Sequence, residues 1–461
     1  MKRKYGTKKL LIKGILSMAL SLSIMVGAVS MDGLVMTAHA GPSASKTIIT
    51  GLGTGAIRRP VVPESKDSAW SGSYVYYGTY NGSPVKYRVL DLSTNRFGGV
   101  TMFLDCDSVL FNSPFRKDSN AADANQWAKS DIFKALNTNP DSFLNTSFSE
   151  VEKRAIAESR VEEHKIDENL GQPQRQHFPT YTALSGEKIF LLDFEDILNE
   201  EYGYHPDCGG KDLHDVESHK KSGGDNGRWW LRSPSTFSIF TDRYIPCFAG
   251  SVCNGHISDC TLVDQVERTY GNLRERAIGV SPAFNVNTDS VIFSSLISGT
   301  EKKPGAEYKL TLKDDDLKIS PGAVTRAGTT VTVPYEITGS HSDNATQVSV
   351  LITDRPYSGR TARTIGYTYK KLSMNVWRKS GTGTFTLPDK YANKTWGSDY
   401  HVYILAEDVN GEKETDYASA PVEIEINRED RHLILPGKSP ILYTPGRRGN
   451  LSTQDPQPAA Q

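Results

Sequence analysis

Trp229-Trp230-Leu231-Arg232-Ser233-Pro234 decides how this chain is read, together with its downstream counterpart Gly279-Val280-Ser281-Pro282-Ala283-Phe284. Two adjacent tryptophans carry a large apolar area that one face of a half-buried strand cannot cover. In a strand Trp229 and Leu231 point one way while Trp230 and Arg232 point the other. Pro234, Gly279 and Pro282 keep both runs out of helix interiors. The pattern predicts a central strand covered on both faces and closed by the second run.

Working outward, Ser73–Tyr80 and Val85–Asp91 alternate in polarity around Asn81-Gly82, which predicts a β-hairpin. Val100–Leu104 reads as a third strand. Trp127, Ile132, Phe133 and Leu136 fall on helical spacing, and Asn139-Pro140 ends that run. Ser149 and Glu152 form a capping box ahead of a helix expected to reach about Arg160. Lys188–Leu192 predicts a short buried strand, followed by a helix over 194–202. The stretches 203–227 and 235–278 are long and irregular. Loops of this length inside a compact domain are functional or disordered. After Thr300 the character changes. Glu301-Lys302-Lys303-Pro304-Gly305 reads as a hinge, and 308–427 alternates apolar and polar residues between frequent turns, as in an immunoglobulin-like β-sandwich.

The first forty residues carry Lys2, Arg3, Lys4, Lys8, Lys9 and Lys13, then an apolar stretch from Ile15 to Val29, then Ala38-His39-Ala40. This is the order of a cleaved secretion signal. The expected destination is outside the cell or at its surface. Removal of six basic residues and Asp32 moves the formal charge from −1 to −6. A mildly acidic secreted chain has no electrostatic reason to seek nucleic acid or anionic lipid. No second apolar span follows, so no membrane span is expected after cleavage. The chain has 5 cysteines. Cys247, Cys253 and Cys260 are disulfide candidates whose pairing stays open, and the odd count leaves one over. The expected organisation is a signal at 1–40, a linker at 41–69, an α+β domain at 70–300, a hinge at 301–307, the sandwich at 308–427 and a disordered tail at 428–461.

Five ordered elements, Tyr87–Asp91, Phe143–Phe148, Lys188–Leu192 and the two runs quoted first, resemble an uncharacterised domain family of secreted and surface proteins of Gram-positive bacteria. The family is similar in turn to the C-type-lectin-like and formylglycine-generating-enzyme-like fold. That resemblance implies a twisted antiparallel sheet, two flanking helices and a ligand face built from long loops. Where many relatives carry Arg in the second run, this chain has Ser281, so no role resting on that Arg transfers. The sandwich resembles the β-sandwich companion of such domains.

Chemistry-bearing motifs are sparse. Gly51-x-Gly53-x-Gly55 is followed by Arg58-Arg59-Pro60, which forbids the helix a phosphate cradle needs. His205, Cys208, His214 and His219 match no recurring zinc module. Asp314-Asp315-Asp316 lacks the glycine and distal glutamate of a calcium loop and reads as a solvated acidic turn. No nucleophile elbow or His-Glu-x-x-His helix is present. Neither a catalytic residue nor a cofactor or metal is expected. The resemblance raises one alternative, an oxidase using a reactive cysteine pair and copper, for which Cys247 and Cys253 stand in the right region. A structural disulfide is the simpler use. The ligand candidates lie in and beside 235–276, where aromatics supply area and polar groups supply direction. They are Arg232, Asp242, Arg243 and Tyr244, then Asn254, His256, Asp259 and Asn272. The sequence predicts a secreted, non-enzymatic protein that binds a glycan or protein. The alternatives are the oxidase and a structural cell-envelope protein.

Overall fold

Residues 49–57 take up structure at once. Ile49–Leu52 (β1) pairs with the later strand Val291–Ser298, and Leu52, Ala56 and Ile57 are buried. The linker expected over 41–69 is therefore packed where its sparse apolar residues reach the core. This computed structural model describes residues 49–65, 68–94, 96–120, 123–162, 183–204, 228–234, 248–253, 256–264, 266–269, 272–275, 278–359, 365–373 and 378–426. The signal at 1–40, the tail at 428–461 and the cluster His205, Cys208, His214 and His219 lie outside those residues.

Among the described residues the protein is mostly β, with a few short helices and several sheets, none closed. Tyr74–Tyr80 (β2) turns at Asn81-Gly82 into Ser83–Thr94 (β3), which pairs with Thr101–Cys106 (β4). Phe111–Asn112 (β5) is a short rung. The helix expected from Trp127 is broken. A 3-10 turn at Trp127–Lys129 stops at Ser130, whose extended backbone and side chain cap a new start, Asp131–Phe133 (α1). A Ser-Asp pair inside an apolar helical pattern is itself a start signal, and here it wins. Phe143–Ser147 (α2) and Glu150–Ala155 (α3) follow, the latter with the predicted Ser149/Glu152 capping box. α3 ends five residues before Arg160, because Ile156 turns extended and bridges Val286. Ser159–Val161 (β6) then pairs with Leu184–Glu187 (β7).

Ile189–Phe190 (β8) leads into Phe194–Leu198 (α4) and then Trp229–Pro234 (β9). Four strands follow: Phe248–Cys253 (β10), His256–Leu262 (β11), Val266–Thr269 (β12) and Asn272–Glu275 (β13). Gly279–Val280 (β14) and Ala283–Asn287 (β15) are the second diagnostic run. β9 is the centre of a sheet ordered β11-β10-β9-β14-β5, and β14 lies beside it with Gly279 opposite Trp229. β15 inserts between β4 and β8 in the main sheet. Trp229, Trp230, Leu231, Arg232 and Ser233 are all buried, as a strand covered on both faces requires.

Val291–Ser298 (β16) and Glu307–Lys313 (β17) are antiparallel neighbours, so residues 299–306 connect a hairpin. The other edge of β17 is shared by β2 and the later strand Asp416–Ala418. The remaining strands are Lys318–Pro321 (β18), Thr325–Ala327 (β19), Thr330–Thr338 (β20), Gln347–Thr353 (β21), Tyr367–Ser373 (β22) and Ser380–Thr386 (β23). After Asp389–Ala392 (α5) come His401–Asp408 (β24), Asp416–Ala418 (β25) and Val422–Glu423 (β26). β18, β20, β19 and β23 form one sheet, while β22, β21, β24 and β25 extend the main sheet. A core that includes Val331, Val333, Val350 and Ile404 lies between them. β20 shows the predicted period of two, with Val331, Val333, Tyr335 and Ile337 buried.

Gly279 has no room for a side chain. A Cβ there would sit 2.4 Å from Val109 Cγ1 and 2.9 Å from the Arg228 carbonyl oxygen. Gly279→Ala should cost about 1–3 kcal/mol through overpacking, read as a lower urea midpoint with unchanged slope. Glu407 on β24 is buried between Tyr369, Gln347 and Ser349, and burial pushes its carboxyl up to about 7. The fold therefore favours the protonated form. Stability from this group is complete below the unfolded value of 4.5 and is lost as pH rises through about 7. Burial raises Asp408 and Asp416 to about 6, with the same sign. Glu407→Gln should flatten the fall in stability between pH 5 and 8, an effect of order 3 kcal/mol at most, measured by denaturation at stepped pH.

Candidate functional site

The double-tryptophan strand is locked by polar as well as apolar contacts. Trp230 donates its indole N–H to the Ser113 carbonyl at 2.8 Å, and its ring meets Phe115 edge-on at 5.5 Å. Arg232 is 0% exposed. Its Nη1 donates to the Leu191 carbonyl at 2.6 Å and to Asp196 Oδ2 at 2.9 Å, and its Nη2 pairs with Asp193. Arg96 completes the cluster at 3.0 Å from Asp193 and 3.2 Å from Asp196. The same two carboxylates form the capping box of α4. Burial pushes Asp196 up, but Arg96 and Arg232 outweigh it and hold this carboxyl below its ordinary range. Ser233 accepts the Phe194 amide at 2.9 Å. Arg232, expected among the ligand contacts, is instead the buried clamp between β9 and α4. An isolated guanidinium cannot be buried, and Asp193 and Asp196 are the partners that permit it.

From this clamp the chain leaves at Pro234 and returns at Gly279. The described backbone of the excursion is two hairpins. β10 pairs with both β9 and β11, while β12 pairs with β13. The link between the hairpins is pinned, since Val263 is buried and accepts the Arg116 amide at 3.0 Å, and Asp264 Oδ2 accepts the Ser119 hydroxyl at 2.8 Å. His256 pairs with Cys253 at the end of the first hairpin, and Asn272 pairs with Thr269 at the end of the second. Asp259 and Cys260 fall at a register shift opposite Gly250, which places them in a bulge. Asp242, Arg243, Tyr244, Cys247 and Asn254 lie outside the described residues.

Sequence reasoning missed a second place. An open cleft of ≈ 380 Å³ runs between β2, the α2–α3 junction and the turn before β25. Glu152 forms its floor. Its Oε1 accepts the Gly78 amide at 3.1 Å and the Thr415 hydroxyl at 2.6 Å, and its Oε2 accepts the Ser149 amide at 2.8 Å. The Tyr417 and Ser149 hydroxyls bond at 2.9 Å across the opening. The capping box was the available signal for Glu152. Nothing local in the sequence tells that its carboxylate also reaches Thr415.

The acidic turn is also not what its sequence predicts. Asp314 is 2% exposed and lies 3.2 Å from Arg154 and 2.6 Å from His341 Nδ1. Arg154 also pairs with Asp316 at 2.9 Å. Asp314, Asp316 and His341 bring ligating atoms within 4.8 Å of one another. Arg154 bridges both carboxylates and Asp314 is buried, so the group acts as a cross-link rather than a solvated turn.

Residues 99–288, which span β4 to β15, match a family described as a domain of unknown function, DUF6273. Among solved structures, a DUF3823 family protein from Bacteroides ovatus ATCC 8483 is similar at 12% identity over 35% of this chain and 86% of that one, with a TM-score of 0.18. A "putative carbohydrate binding protein" from Bacteroides uniformis ATCC 8492 is similar at 12% identity over 34% and 85%, with a TM-score of 0.17. At these scores neither likeness carries an argument about this chain. No curated protein matches it.

Replacing Arg232 by Met should leave two buried carboxylates facing Arg96 alone and cost about 3–5 kcal/mol. Arg232→Lys keeps the charge but lacks the planar fork, and should fall between Met and the parent. Urea denaturation measures both. An unchanged midpoint for Arg232→Met would remove the clamp from the account.

Proposed function

We propose that this chain is a secreted, non-enzymatic binding protein that recognises a glycan or protein through the excursion between β9 and β14. On this reading 1–40 is a cleaved signal and 70–300 a C-type-lectin-like domain. The 308–427 segment is an immunoglobulin-like companion that serves as a spacer or second adhesive module. One observation carries the proposal. Both ends of a long segment rich in aromatic and hydrogen-bonding residues start from adjacent strands that are buried and clamped. A rigid base under a long excursion is the arrangement that lowers the ordering cost of binding.

The test uses residues 42–461 on glycan and protein arrays, beside a version in which 266–275 is replaced by a short turn. The parent should give a defined set of ligands, and the shortened protein should lose them while unfolding at a similar temperature. A folded parent that binds nothing, or a shortened protein that binds as well, would count against the proposal.

A further inference from the structure

The cleft between β2, the α2–α3 junction and the turn before β25 has a composition that restricts what can occupy it. Its walls carry the hydroxyls of Thr79, Ser147, Ser149 and Tyr417, and its only charged lining groups are Glu152 and Glu414. Among the described residues no lysine or arginine lines it, so a phosphate, sulfate or carboxylate ligand would enter against negative charge without a partner. The floor has an apolar component. Phe148 belongs to the aromatic core, 5.8 Å from Tyr77 and 5.5 Å from Phe284, and Tyr417 is half-buried beside it. Gly78, at φ +62°, keeps this floor open. A Cβ there would sit 2.6 Å from the Phe148 ring.

The walls are set before any ligand arrives. Glu152 ties β2, the α3 cap and Thr415 together through three hydrogen bonds. Asp416 holds the opposite turn, accepting the Asn410 amide at 2.7 Å while pairing with the buried Lys309 at 2.8 Å. Burial, reinforced by the Glu152 charge, pushes the Tyr417 hydroxyl up, so it stays neutral and can both donate and accept. The Thr79 and Ser147 hydroxyls bond to no other described group. The volume falls within the range of small-molecule sites.

From this chemistry we infer that the cleft is a binding site for a short neutral saccharide. Such a ligand has hydroxyls for the walls, a C–H face for the aromatic floor and no negative charge. The inference stands apart from the excursion between β9 and β14, because none of the cleft's lining residues belongs to it.

Saturation-transfer NMR and calorimetry on residues 42–461 test it. The probes are glucose, galactose, mannose, N-acetylglucosamine, lactose, cellobiose and chitobiose, with glucose 6-phosphate as the anionic counterpart. Thr79→Trp and Thr146→Trp obstruct the cleft from two sides, at half-buried and exposed positions that the fold tolerates. At least one neutral sugar should bind, each obstructing variant should weaken it about tenfold or more at an unchanged unfolding temperature, and the phosphate should bind less well. The version lacking 266–275 should still bind it. The inference is overturned if no neutral sugar binds, if both folded variants bind like the parent, or if glucose 6-phosphate binds as tightly as glucose. Sugar binding that is lost with 266–275 but kept in both tryptophan variants overturns the cleft and leaves the excursion as the ligand face.

Discussion

Arg232 can be buried only because two carboxylates are buried with it. That constraint ties three separate stretches of chain together: β9 supplies the guanidinium, the start of α4 supplies Asp193 and Asp196, and Arg96 arrives after β3. The strand cannot shift by one residue without moving Arg232 to the opposite face and stranding both acids. Register at β9 is thus fixed electrostatically through Arg232 and by the contacts of Trp230 with Phe115 and Ser113. Its neighbours β10 and β14 inherit that register, and with it the positions where the excursion leaves and returns.

Much of this was legible wherever the information was local. The double tryptophan, the Asn81-Gly82 hairpin, the Ser149/Glu152 box and the alternation along β20 each report a short-range rule, and each appears where expected. The readings that failed involve partners distant in sequence. Arg232 looked like a recognition residue because its partners lie 36 and 39 positions away. Asp314 reads as solvated because His341 and Arg154 lie 27 and 160 positions away. The helix expected from Trp127 failed for a local reason, since Ser130 was an unweighed start signal. Asn254-Gly255, between Cys253 and His256, is a pair favoured in tight hairpin turns. The cleft left no trace in the sequence, because its walls meet only when β25 lies near α3.

Glu152 repeats the logic of the clamp at a second seam. A carboxylate that caps its own helix also accepts the Thr415 hydroxyl from the turn before β25, so one side chain sets both a local terminus and a long-range contact. Arg154, two residues along on the same helix, pairs with Asp314 and Asp316. α3 is short, but together with its Ser149 cap it carries the Glu152, Arg154 and Ser149 links to the later part of the chain.

β17 gives this architecture a direction in time. One of its edges belongs to β16, and the other is divided between β2 and β25. A chain made and delivered amino end first must therefore carry Tyr74–Tyr76 with a bare row of amides until Glu307–Lys309 emerges, and β17 itself waits for Asp416–Ala418. The early hairpin is held open for a strand that is synthesised long after it, so the first half of the protein is completed only by the arrival of the second.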